Sequence, residues 1–233
     1  MKQIIAMGGG GFSMEPDNPL LDQYILDQSG EERPKVCFVP TASGDAEGYI
    51  EKFYQAFDKL NCVPSHLSLF RSEIVDMEGF ILSQDVIYVG GGNTRNLLVL
   101  WREWGLDRIL RSARERGVVL AGLSAGANCW FEEFVTDSLP GRLTSWSGLG
   151  WLSGSCCPHY DDEEQGYRSG YHRLLLEGRL KAGYGIDDGA ALHFIDGRLH
   201  RAVAPRPKAR AYRVRVVDGV AEEEEIRTDY LGV

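Results

Sequence analysis

Ser124 stands in LAGLSAGAN (120–128), between two glycines in the pattern G-x-S-x-G and just after the apolar run GVVLAG. A serine in that setting has two readings. It is a nucleophile raised out of a strand-to-helix turn, where glycines remove the side chains that would clash. Alternatively it is a small residue in an ordinary tight βα connection. Acyl transfer at Ser124 requires a base, a carboxylate to orient that base, and amide donors for a developing oxyanion. His159, in CCPHYDDEE, follows an extended stretch and a proline among polar residues, a context that suits a core histidine poorly. His172 lies in a helical run, His193 and His200 in a hairpin, and His66 beside a strand far from the glycine loops, so context and elimination favour His159. For the acid, Asp137 in FVTDSLP lies between serine and histidine, in a loop that could return to the strand ends. Glu132 and Glu133 are expected in a helix after the serine. Asp161 and Asp162 are too close in sequence to His159 to reach its far nitrogen easily.

These residues must be carried by a scaffold, and short β-rich runs alternate with longer helical ones. Strands are expected at 2–7, 35–39, 65–69, 85–89 and 118–121, and helices at 18–29, 48–60, 72–83, 94–104 and 106–116. A further helix is expected over 127–133. Late in the chain, Asp196-Gly197 and Asp218-Gly219 mark hairpin turns. The alternation implies a doubly wound α/β fold, mostly parallel, with antiparallel C-terminal strands added at one edge. No linker or composition break divides residues 1–233, which read as one domain. Glu222–Glu225 reads as a solvated turn or edge.

Three glycine-bearing loops follow expected strands: Gly8–Gly11, Gly90–Asn93 and Gly122–Gly126. Open parallel sheets place ligands at the carboxyl ends of their strands, where these loops lie. MGGGGF is not a dinucleotide fingerprint, because residues 14–19 (MEPDNP) break a helix start and no acidic residue ends the second strand.

The 233 residues carry 34 acidic against 25 basic side chains, a net charge of -9. That balance argues against nucleic acid or an anionic membrane as partner. No apolar run is long enough for a membrane span. The five cysteines show no metal-ligand spacing and read as reduced thiols of a cytoplasmic protein.

Taken together, GGGNT (90–94), GLSAGAN (122–128), TDS (136–138), PHYD (158–161) and DDGAALHF (187–194) resemble the peptidase E group of serine peptidases, which also holds aspartyl dipeptidases and cyanophycinases. The resemblance runs over nearly the whole chain. It implies a fold like the class I glutamine amidotransferases, with serine replacing their cysteine. It further implies a Ser-His-Asp/Glu triad of Ser124, His159 and Asp137, with Glu133 as the alternative acid. Backbone amides of Gly91 or Gly92, together with Ala125, are expected to hold the oxyanion, and Asn93 and Arg168 to bind substrate. The implied activity is a dipeptidase preferring an N-terminal aspartate, acting on small peptides without metal or organic cofactor, as a monomer or homodimer. A cyanophycinase-like hydrolase, an esterase on an α/β-hydrolase fold and a non-catalytic binding module are the rivals.

Overall fold

The computed structural model describes residues 1–232. The chain opens with β1 (Gln3–Met7), a one-turn α1 (Gly11–Met14), α2 (Leu20–Asp27), β2 (Lys35–Val39), α3 (Glu47–Phe57) and β3 (Val63–His66). Next come α4 (Met77–Leu82), β4 (Val86–Val89), α5 (Thr94–Trp104), α6 (Leu106–Glu115), β5 (Val119–Leu123) and another one-turn helix, α7 (Ala125–Asn128). The second half holds β6 (Phe131–Thr136), β7 (Thr144–Ser147), β8 (Leu152–Cys157), α8 (Tyr167–Leu176) and β9 (Gly183–Ile186). It closes with β10 (Ala191–Ile195), β11 (Arg198–Ala204), β12 (Ala211–Val217), β13 (Val220–Ile226) and β14 (Thr228–Tyr230).

The strands form two mixed sheets where the sequence suggests one. The first has eight strands in the order β14-β11-β10-β1-β5-β4-β2-β3, and the second has six, β13-β12-β9-β8-β6-β7. Parallel pairings outnumber antiparallel ones across the two. β1, β4 and β5 are buried along their whole length, as continuous apolar runs in a sheet covered on both faces must be. The two late hairpins part company. β10 and β11 extend the first sheet beside β1, while β12 and β13 complete the second. Both turns have the expected chemistry, with Asp196, Gly197, Asp218 and Gly219 all at positive φ.

One expectation fails locally. The helix after Ser124 stops at Asn128, and Glu132 and Glu133 lie on β6, parallel to β8. β-branched and aromatic residues (Phe131, Phe134, Val135, Thr136) favour a strand there. Glu222–Glu225 is an edge and not a turn: it lies on β13, the outermost strand of the second sheet, mostly exposed, with the Glu223 carboxylate accepting hydrogen bonds from Tyr160 and Arg168. Among the described residues, no helix is long and apolar enough to cross a membrane.

His193, buried on β10, holds this strand against the start of the chain. Gln3 Nε2 donates to the Gln28 carbonyl, leaving Gln3 Oε1 to accept from His193 Nε2 at 3.0 Å; His193 Nδ1 then accepts from the Tyr24 hydroxyl at 2.7 Å. Burial, and then the nearby charges of His200 and Arg201, push its pKa from 6.5 down to about 4, which keeps the ring neutral at pH 7 and makes Nδ1 the acceptor towards Tyr24. Since the unfolded chain takes up the proton first, this contribution to stability is full above about pH 6.5 and is lost as pH falls toward 4. Asp187 and Asp22 work in the opposite sense, because burial raises their pKa values to about 6 and about 7. The expected result is thus a difference between proteins. Denaturant unfolding at about pH 7.5 and about pH 5 should show wild type losing on the order of 2 kcal/mol more on acidification than His193→Asn. Identical pH slopes for the two would show that His193 is not held neutral.

Candidate active site

β1, β5 and β4 are adjacent and parallel, so their three glycine loops emerge side by side at one end of the sheet. At the middle loop the chain turns sharply. Ser124 has φ 54° and ψ -112°, outside the regions L-residues favour, with its N–H donated to the Met7 carbonyl on β1. Flanking glycines make the turn possible. A Cβ on Gly122 would lie 2.3 Å from the Gly126 carbonyl oxygen, and one on Gly126 2.4 Å from that of Val89. Ser124 and His159 (φ 52°) share positive φ with only three other non-glycine residues among those described, all aspartates.

Ser124 Oγ lies 2.8 Å from His159 Nε2, and His159 Nδ1 lies 2.6 Å from Asp188 Oδ1. A carboxylate on Nδ1 fixes the proton there, which leaves the Nε2 lone pair facing the serine hydroxyl. The His159 and Asp188 side chains remain about one fifth exposed. Asp188 follows β9, and its backbone is pinned at both ends. Its N–H donates to Asp161 Oδ1 at 2.7 Å, and its carbonyl accepts from Arg206, which in turn pairs with Glu15 at 3.2 Å. The first glycine loop packs against this segment. A Cβ on Gly8 would lie 2.2 Å from the Asp187 carbonyl oxygen, and one on Gly9 2.1 Å from Asp188 Oδ1. That close approach requires glycine at the first two positions of the run MGGGGF.

The carboxylate on the histidine is therefore neither of the two expected. Asp137 directly follows β6 and lines the cavity beside Tyr167, whose hydroxyl pKa is raised by burial and then by this neighbouring charge. Glu133 faces a separate cavity with Arg102 and Arg179, and its carboxylate accepts from the Lys181 N–H at 2.7 Å. Being early on β6, it cannot reach the histidine. The reach of Asp188 comes from a loop far along the chain, and the sequence signal for it is Asp-Asp-Gly directly after the strand GYGI.

Gly91 packs against Ser124, but its N–H donates to the Tyr49 hydroxyl at 3.3 Å. The N–H of Gly92 finds no acceptor among the described residues, and Ala125, at the first position of α7, has an amide that no intrahelical carbonyl can reach. Asn93 caps α5, accepting from Asn96 N–H at 2.9 Å, while its Nδ2 donates to the Ser138 carbonyl. Its side chain is thus structural as well as cavity-lining. Arg168 is not free for substrate. Its guanidinium is bound by the Glu223 carboxylate and lies over the adjoining rings of Tyr160 and Tyr212, 5.1 and 5.3 Å from their centres. Burial opposes ionisation of Glu223, yet hydrogen bonds from Arg168 and Tyr160 hold its pKa below the ordinary value.

Two cavities meet at Ser124 and His159. One, of about 430 Å³, is lined by Gly92, Asn93, Asp137, Asp162, Tyr167 and Asp188; the other, of about 530 Å³, by Tyr49, Lys52 and Leu123 among others. The arrangement offers an activated oxygen, a base in the required tautomer and unpaired amides at a junction of two subsites.

The profile of peptidase family S51 matches residues 4–202. The chain is 61% identical to the uncharacterized peptidase YgaJ of Bacillus subtilis (strain 168) over 232 residues, spanning all of both chains. It is 32% identical to peptidase E of Shewanella amazonensis over 189 residues, covering 76% of this chain and 79% of that one. A crystal structure of a peptidase from an acI-B1 Actinobacterium superimposes with a TM-score of 0.73 at 19% identity, over 98% of this chain and 95% of that one. At that identity the match speaks for the fold alone.

Proposed function

The chain belongs to peptidase family S51, and from that premise we propose that it is a serine-type exopeptidase removing the N-terminal residue of short peptides. The observation that carries this is the continuous chain Ser124–His159–Asp188, with hydrogen bonds of 2.8 and 2.6 Å. Ser124 Oγ attacks the scissile carbonyl carbon as its proton passes to His159 Nε2. Asp188 keeps the Nδ1 proton in place and stabilises the imidazolium. The carbonyl oxygen, now an anion, accepts from the N–H groups of Gly92 and Ala125. On collapse the C–N bond breaks and the Nε2 proton goes to the leaving amine. Water then repeats the sequence on the acyl-enzyme, releasing an amino acid and restoring Ser124.

Exopeptidase action is supported by charge. Asp137 and Asp162 in the first cavity suit the α-ammonium of a free N-terminus. The resemblance implies a preference for an N-terminal aspartate, but Arg168, the cation expected to serve it, is paired with Glu223. The parallel order β1-β5-β4-β2-β3, with the serine after β5, supports reading the fold as of the class I glutamine amidotransferase kind. Five unpaired, buried thiols suit a reducing cytoplasm.

A fluorophosphonate probe tests the nucleophile. The folded wild type should be modified once, at Ser124, and Ser124→Ala not at all. A non-catalytic shell leaves the wild type unmodified, and equal labelling of the two proteins would place the reactive group elsewhere.

A further inference from the structure

The two cavities at Ser124 and His159 differ in charge. Three carboxylates line the first, while the second has a single cation, Lys52. Lys52 sits on α3 one turn after Gly48, and Tyr49 lies on the same face. Gly48 leaves the space beside it open, since a Cβ there would meet nothing within 4 Å. Lys52 makes no ion pair with any described residue, and what sets it apart from the other unpaired surface cations is its place on the wall of this cavity. It is an unmatched positive charge on the wall of a cavity that Ser124 and His159 share.

We infer that Lys52 is a specificity-determining residue that holds the C-terminal carboxylate of a dipeptide's leaving residue. The inference rests on the exopeptidase reading above. If the first cavity takes the α-ammonium, the scissile carbonyl lies at the junction and the leaving residue enters the second. A dipeptide places its two terminal charges on opposite sides of its one peptide bond, about two residue lengths or roughly 7 Å apart. Opposite charges on the two walls match that zwitterion. A longer peptide carries its carboxylate past this point and gains nothing from Lys52. Lysine suits the task, because a flexible stem and a point charge accept a carboxylate in several orientations. Exposure to solvent screens the contact, so it selects among substrates instead of dominating affinity.

The test compares dipeptides with free C-termini against the same dipeptides as C-terminal amides, across several N-terminal residues. In the wild type kcat/KM should favour the free acid on the order of tenfold, mostly through KM, the scale of one screened charge-assisted hydrogen bond. Lys52→Met should erase that advantage, and Lys52→Arg should restore most of it. A wild type that hydrolyses acid and amide equally well overturns the role of Lys52 while leaving the peptidase intact. So does an advantage that survives Lys52→Met, or a loss that tracks an acidic N-terminal side chain. Failure to hydrolyse either substrate class, with no fluorophosphonate labelling, removes the exopeptidase reading itself, and the Lys52 role with it.

Discussion

Asp188→Asn is expected to lower kcat by about 10⁴, the size of the loss when the corresponding aspartate of a serine protease becomes an amide. The amide is nearly isosteric, so the hydrogen bond of 2.6 Å to His159 Nδ1 can survive in geometry. What changes is the direction of the proton. An asparagine can present its N–H₂ to Nδ1, which moves the ring proton to Nε2 and points it at Ser124, where a lone pair is needed. Asp137→Asn should behave differently. It weakens the cavity that takes the α-ammonium, so KM for peptides with a free N-terminus rises while kcat is largely kept. Steady-state kinetics on both variants separates the two aspartates. If Asp137→Asn loses kcat by orders of magnitude and Asp188→Asn does not, the acid is Asp137 after all.

Gly9→Ala is expected to cost on the order of 10² in kcat, the penalty for displacing a catalytic group by about 1 Å, with little change in Tm. An added Cβ would lie 2.1 Å from Asp188 Oδ1 and 2.9 Å from Met14 Sδ. Both are ends of side chains able to swing aside, so the fold accommodates the methyl group. The carboxylate that yields, however, is the one on His159. Gly8→Ala is the contrasting case, because its Cβ meets the backbone carbonyl oxygens of Ile186 and Asp187 at 2.3 and 2.2 Å. Backbone cannot step away cheaply, so Gly8→Ala should lower Tm. Full kcat in a folded Gly9→Ala protein would show that Asp188 is not sterically fixed by the first glycine loop.

The sequence announces those parts of the molecule whose physics is local. KVCFV is a strand because it is an unbroken apolar run, and the two Asp-Gly turns are hairpins because their backbone requires positive φ. GLSAG is legible for the same reason, since its glycines answer contacts within one turn and the next strand. The assignment of Asp137 shows the limit. Chain order placed it between serine and histidine, but which carboxylate meets His159 depends on β9 pairing with β8 and on Gly9 bridging to Asp188. Neither pairing has a local signature. Arg168 illustrates the same point from the other side. In the sequence it is expected to bind substrate, whereas its partner, Glu223, arrives on β13 from 55 residues away. The split into two sheets is hidden likewise, because hairpins of similar pattern join different sheets.

The meeting of Gly9 with Asp188 also imposes an order in time. Ser124 and His159 leave the ribosome well before the residue that orients the histidine, and β10, which seats the segment after Asp188 against β1, is made later still. A nascent chain that has reached His159 thus carries a serine and an imidazole without the carboxylate between imidazole and solvent. The hydrogen-bonded chain from Ser124 through His159 to Asp188 is complete only once the segment after β9 has folded back beside the first strand.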